Sequence, residues 1–132
     1  MSLQNEGELR IVQILLNTEI TDQSKTAFIS PYAGQVAAAA DLLPKELRIS
    51  TIDSFQGQEQ ETIILSLVRS NDEGDIGFLK DYRRMNVAIT RAKEQLFVIG
   101  DSATIGADQF YNSFLTYIEM HGSYRTVWEF EL

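Results

Sequence analysis

The stretch AFISPYAGQVAAAADLLPKELRISTI, residues 27–52, decides the fold. Ala27-Phe28-Ile29 is a short apolar run that reads as a buried strand. Ser30-Pro31 follows as a helix-start signal, a capping hydroxyl and then a proline whose φ is preset for the first helical position. The helix begun there runs through the alanine-rich stretch 36–40 and stops at Leu43-Pro44, and a second strand is expected at 48–52. On the N-terminal side, residues 6–17 place Leu9, Val12 and Leu16 on one helical face, widened by Ile11 and Leu15, and a polar loop at 21–25 leads into the first strand. On the C-terminal side, continuous apolar runs at Thr62–Val68 and Leu96–Ile99 read as strands covered on both faces. Between them come a turn at 72–75 and a helix at 82–91, and an amphipathic helix at 108–120 packs Phe110, Phe114, Leu115 and Ile118. The order predicts one α/β domain over 1–132 with a mainly parallel β-sheet flanked by helices.

Composition narrows the function. The 132 residues carry 44% hydrophobic and 23% charged side chains, the balance of a folded domain with its own core. There is no cysteine, so disulfides, thiolate metal sites and cysteine nucleophiles are excluded. His121 is the single histidine, which removes His triads and multi-His metal sites and leaves no metal site to assign. No apolar run approaches a membrane span and no signal-peptide pattern opens the chain, so no membrane partner and a cytoplasmic, intracellular setting are expected. The net charge of −8 is unevenly distributed: 1–68 and 94–132 each carry −5, whereas 69–93 carries +2 through Arg69, Lys80, Arg83, Arg84, Arg91 and Lys93. A local anion site fits this pattern, as does a mixed solvated surface; a broad nucleic-acid-binding face does not.

Parallel sheets place function in loops beyond the carboxyl ends of their strands, and three segments are expected there: 30–32, 53–59 and 100–101. The middle one, Asp53-Ser54-Phe55-Gln56-Gly57-Gln58-Glu59, sets a glycine beside amide, hydroxyl and carboxylate groups. Such a loop serves either as a polar turn or as a phosphate approach, with the carboxylate holding a sugar hydroxyl or a metal-bound water. No Gly-Lys-Ser/Thr P-loop exists in the chain. Leu96-Phe97-Val98-Ile99-Gly100-Asp101 ends an apolar strand on an aspartate, but without a P-loop it reads as a strand terminus.

Three segments then resemble one family. Thr51-Ile52-Asp53-Ser54-Phe55-Gln56-Gly57-Gln58-Glu59 followed by Thr62-Ile63-Ile64-Leu65-Ser66 is similar to motif V of the Upf-like group of superfamily 1 DNA and RNA helicases. Arg83-Arg84-Met85-Asn86-Val87-Ala88-Ile89-Thr90-Arg91-Ala92-Lys93 resembles their motif VI, and Ile29-Ser30-Pro31-Tyr32-Ala33-Gly34-Gln35 their motif IV. Gly74-Asp75-Ile76-Gly77-Phe78-Leu79 resembles the family's approach to motif VI, and the likeness is strong over 26–101.

The resemblance implies a three-layer RecA-like domain of the P-loop NTPase fold, the C-terminal one of two motor domains with ATP and Mg²⁺ in the cleft between them. The first RecA-like domain, the partner, supplies the P-loop, the magnesium carboxylate and the water-activating group. By the match, Arg91 is the arginine finger that stabilises charge on the transferring phosphoryl group, a contribution of roughly 10³–10⁵ in rate. Glu59 is expected at the ribose or the attacking water, and Gly57 to offer backbone near the phosphates. Gln56 either couples the two sites or structures the loop, and Arg84 either meets nucleotide or, like Arg83, pairs with an acidic neighbour such as Asp81. Ser30, Pro31, Tyr32 and Thr51 are the expected contacts to single-stranded DNA or RNA, holding backbone phosphates without reading sequence; packing on the sheet is the other role open to Tyr32. Trp128 and Phe130 are expected to close a hydrophobic edge. Residues 1–20 are less similar to the family, and Met1-Ser2-Leu3 is expected to be an expression leader on a piece of a longer protein. The first domain and the early arginine motif of the second are not in this sequence, so the chain alone is expected to be inactive. The competing expectations are a non-catalytic nucleic-acid- or protein-binding module derived from a helicase half, and a small nucleotide-binding regulatory domain.

Overall fold

The computed structural model describes residues 6–18, 20, 22–55, 60–68, 83, 85–86 and 90–100. Its elements are α1 (Glu6–Thr18), β1 (Thr26–Ser30), α2 (Ala33–Leu42), β2 (Arg48–Thr51), the short α3 (Ile52–Phe55), β3 (Gln60–Ser66) and β4 (Ala92–Ile99), with a 3-10 turn at Gln23–Lys25 before β1. The strands form one sheet in the order β2-β1-β3-β4, and all three pairings are parallel. This is the α/β architecture with a parallel sheet expected of a RecA-like domain.

The strand order dictates the layers. The chain moves from β1 to β2 on one side, then returns past β1 to β3 and on to β4. Right-handed crossovers in opposite directions place their connections on opposite faces of a sheet. The core divides accordingly. One face packs α1 and α2 through Leu9, Val12, Leu16 and Ala39 onto Phe28, Ile64 and Ile99. The other packs Ile52 and Phe55 of α3, with Met85, onto Ala27, Ile29, Ile63 and Leu65. Successive strand residues alternate between these clusters because side chains alternate across a pleated strand.

The helical face read for α1 is the buried one: Leu9, Ile11, Val12, Leu15 and Leu16 all lie in the core, each worth about 1.5–3 kcal/mol when fully buried. Several boundaries differ from expectation; β2 stops at Thr51, where Ile52 opens α3, and β3 starts at Gln60. Ser30 is still paired with Thr51 in the sheet, so α2 starts at Ala33 with Tyr32 as its extended N-cap residue, and Ser30-Pro31 is a turn, not the first step of a helix. β3 ends at Ser66 and not at Val68, because Val68 adopts a left-handed backbone with φ 71° that leaves the pleated conformation. β4 begins at Ala92, four residues early. Its polar start pairs with Gln60–Thr62 across a β-bulge, since Gln60 faces Ala92 while Thr62 faces Gln95. Arg83, Met85 and Asn86 are helical, but Thr90 and Arg91 form a turn, so Arg91 does not end a helix as expected. The helix expected at 108–120 lies outside the described residues.

Ile64 is fully buried in a central strand, whereas Leu42 is 51% exposed. Ile64→Ala is therefore expected to cost about 2–5 kcal/mol and Leu42→Ala no more than about 0.5 kcal/mol, read from urea unfolding by circular dichroism. Equal shifts for the two would refute this core.

Candidate functional site at the two ends of the sheet

Polar groups gather at both ends of the strands. At the carboxyl ends, Ser30 and Thr51 are register partners on β1 and β2. The Tyr32 N–H donates to Ser30 Oγ at 3.3 Å, which folds Pro31 and Tyr32 over the strand end. Ser30 is fully buried, Pro31 and Tyr32 are half-buried, and Tyr32 packs against the cluster of Ile29, Phe55 and Met85. The Thr51 hydroxyl accepts from the Ser54 N–H at 3.3 Å and donates to Ser54 Oγ at 3.1 Å, the arrangement of an N-cap. Arg48 adds a cation–π contact 5.0 Å over the Phe55 ring, holding α3 on the sheet. The sheet therefore brings Ser30, Pro31, Tyr32 and Thr51 to one edge.

Beneath that edge, between β1 and β3, runs a buried chain of hydrogen bonds. Gln35 Nε2 donates to Ser66 Oγ at 3.1 Å. Ser66 Oγ donates to Glu8 Oε1 at 2.6 Å, and the Val68 N–H reaches the same oxygen at 3.0 Å. Strand order reverses at this point, the place where open α/β sheets ordinarily leave a ligand crevice. Here a glutamine, a serine and a buried carboxylate occupy it.

Arg91 lies at the other end. It precedes β4, and its carbonyl accepts the Gln60 N–H at 3.3 Å. Arg91 thus stands at the end opposite to the loops expected beyond the carboxyl ends of the strands. Residues 53–59 begin after β2 at the carboxyl end and are followed by Gln60 at the amino end of β3. Six residue steps along β3 separate the two ends by about 20 Å. Arg91 is half-buried, and its Nε is buried without a hydrogen-bond partner among the described residues. An unpaired buried guanidinium donor is costly and calls for an acceptor. The turn holding Arg91 is fixed by Thr90, whose N–H and hydroxyl both donate to the Asn86 carbonyl, at 3.1 and 3.0 Å. Fully buried Met85 anchors the helical residues before it. Nearby charges are exposed: Lys25 meets Glu61 at 3.8 Å. Among the described residues no His, Asp or Glu cluster could hold a metal ion, and no helix is long and apolar enough to cross a membrane.

The profile of a family described as "AAA domain" matches residues 1–103. The chain belongs to the AAA domain family. It is 39% identical over 132 residues to DNA-binding protein SMUBP-2 of Rattus norvegicus, covering 96% of this chain and 13% of that protein. It is 45% identical over 108 residues to the DNA polymerase alpha-associated DNA helicase A of Saccharomyces cerevisiae, covering 76% and 16%. A regulator of nonsense transcripts 1 homolog of Arabidopsis thaliana is 38% identical over 99 residues, covering 75% and 8%. The chain thus spans less than a fifth of the length of these relatives.

Of the site residues expected in this AAA domain, Gln56, Gly57, Glu59 and Arg84 lie outside the described residues, as do Val87, Ala88, Asp101, His121, Trp128 and Phe130. Glu8, Gln35, Ser66 and Met85 were not singled out by sequence reasoning. Glu8 did carry a signal, a charged residue directly beside the apolar stripe of an amphipathic helix. Ser66 likewise closes an apolar strand with a hydroxyl. Near the amino ends, Asp22 accepts from the Ser24 hydroxyl and N–H and faces Lys25, which holds its carboxyl below the ordinary value of 3.8. Because the folded value is the lower one, the stabilisation is complete above the ordinary value and lost as pH falls through the folded one. The difference in urea midpoint between the wild type and Asp22→Ala is expected to be constant at neutral pH and to shrink in acid. A difference that grows in acid would contradict this cap.

Proposed function

We propose that this AAA domain is the C-terminal RecA-like motor domain of an ATP-dependent superfamily 1 helicase of the Upf-like group. Arg91 carries the reading. A half-buried guanidinium with an unpaired donor stands at the amino ends of β3 and β4, next in space to Gln60, the residue that follows Glu59 in sequence. Guanidinium is charged at every relevant pH and can fork onto two phosphate oxygens. It fits an ATP γ-phosphate offered by a first RecA-like domain, with this chain supplying a cation and the partner domain holding Mg²⁺. Bound ATP supplies the phosphoryl group that is transferred to water. Arg91 stabilises the charge that spreads over its oxygens during transfer, Gly57 offers backbone, Glu59 faces the ribose or the attacking water, and Gln56 and Arg84 complete the nucleotide side.

The opposite edge carries the nucleic-acid track in the same reading. Ser30, Pro31, Tyr32 and Thr51 converge there; Ser30, buried, shapes the turn, and the partly exposed Pro31, Tyr32 and Thr51 suit a single strand of DNA or RNA held by its backbone without sequence readout. The names of the relatives, a DNA-binding protein and a DNA helicase among them, support this assignment. An acidic domain with a net charge of −8 binds a polyanion weakly unless a partner domain adds basic surface.

Two measurements test the reading. The 132-residue chain by itself is expected to show no ATP turnover, since it has no P-loop. In the full-length protein, Arg91→Ala is expected to leave ATP affinity within about tenfold while turnover falls roughly 10²–10⁴-fold, and Arg91→Lys to recover only part. Near-normal turnover in a folded Arg91→Ala protein sinks the finger assignment. Sub-micromolar strand binding by the chain alone would favour a non-catalytic binding module.

A further inference from the structure

We infer that Glu8 is a positioning residue for nucleic-acid engagement, clamping the exit of β3 and tying it to the Ser30–Tyr32 edge. The inference rests on the helicase reading above. Three observations carry it. First, Glu8 is only 5% exposed, and both the Ser66 hydroxyl and the Val68 N–H converge on its Oε1. Secondly, Val68 sits at φ 71°, a backbone region that β-branched residues avoid and glycine enters freely. A valine stays there only when its surroundings over-determine it, and such strain concentrates where geometry serves function. The carboxylate contributes to that constraint by accepting the Val68 N–H. Thirdly, Ser66 passes the connection to Gln35, which lies in the first turn of α2, directly after the Ser30-Pro31-Tyr32 turn. A change at Glu8 therefore reaches the nucleic-acid edge through two hydrogen bonds. Arg91 lies at the opposite end of the sheet, beside Gln60.

That placement predicts a divided kinetic effect. The test is steady-state ATPase of the full-length protein at saturating ATP, titrated with oligo-dT and oligo-U single strands, with the KM for ATP measured in parallel. Glu8→Ala is expected to raise the half-stimulating strand concentration roughly 3- to 30-fold, the range by which residues without ligand contact modulate coupling. The KM for ATP is expected to stay within about twofold, because the Glu8 hydrogen bonds to Ser66 and Val68 lie at the carboxyl end of β3, away from Arg91. Glu8→Gln keeps an acceptor oxygen in place and is expected to restore most of the loss. Adding Val68→Gly to Glu8→Ala removes the strain and is expected to move the half-stimulating concentration back toward the wild type. Where Glu8→Ala fails to fold, Ser66→Ala breaks the same relay and is expected to act in the same direction. Unchanged strand dependence in folded variants, or a loss confined to the KM for ATP, overturns the inference alone. A wild type stimulated by neither strand overturns the helicase reading and this inference with it.

Discussion

β1 is the pivot on which the rest of the domain depends. It is flanked by β2 on one side and β3 on the other, and its Ala27, Phe28 and Ile29 are fully buried. A central strand with partners on both sides forces the chain to cross the sheet in two directions, and right-handed crossovers then require a covering layer on each face. The small side chains of α2 fit that demand, since Ala38 and Ala39 let the helix approach the sheet closely beside Phe28. The opposite face has less helix over it among the described residues. It relies on large side chains, Phe55, Met85 and the ring of Tyr32. Tyr32 thereby belongs to the core and to the polar edge at once, so packing and exposure of that edge are physically linked.

The same pivot creates the crevice between β1 and β3, and its filling is chemically specific. Apolar side chains there would remove the acceptor that the Val68 N–H uses, at a cost of about 1–3 kcal/mol for a buried donor. Glu8 removes that penalty and accepts from Ser66 on the same oxygen. Two donors on one oxygen offset part of the cost of taking the Glu8 carboxyl group out of water. Fully satisfied polar networks specify one arrangement among the many an apolar core allows. Here that arrangement joins α1, α2 and β3 at one point.

Much of this was readable in the sequence because it follows from periodicity. The buried stripe of α1, the run 62–66 and the strand–helix–strand unit around Pro31 all declare themselves through apolar spacing. The boundaries did not, and each failure has a local cause. Ser30-Pro31 has the chemistry of a helix start, but the pairing of Ser30 with Thr51 outcompetes it. Val68 looks like strand, and the Glu8 contact, 60 residues away in sequence, helps turn it out of the pleat. The polar start of β4 carries no apolar signal, since its partner is the half-buried start of β3 and not the core. Long-range hydrogen bonds and register leave no trace in a window of ten residues.

The division of the polar groups between the two strand ends has a mechanical consequence. Interiors packed to crystal-like density deform little, so a sheet with fully buried Ile63, Ile64 and Leu65 at its centre behaves as a stiff plate. Under the helicase reading, a force at Arg91 runs along β3 and β4 toward Ser66 and Ile99. A softer body would dissipate it near the turn. Under the helicase reading, loss of the γ-phosphate releases the guanidinium at one end, and the plate tilts about its contact with the partner domain. The edge bearing Ser30, Tyr32 and Thr51 then shifts against the strand at the other end. The lever works only if that edge is rigidly joined to β3, and the described residues offer two such joints. One is the backbone ladder between β1 and β3. The other is the Gln35–Ser66–Glu8 relay, which connects α2 to the strand end beyond the last ladder pair at Leu65. Backbone pairing supplies the stiffness of the plate, and the buried Glu8 side chain extends that stiffness to the Ser30–Tyr32 edge.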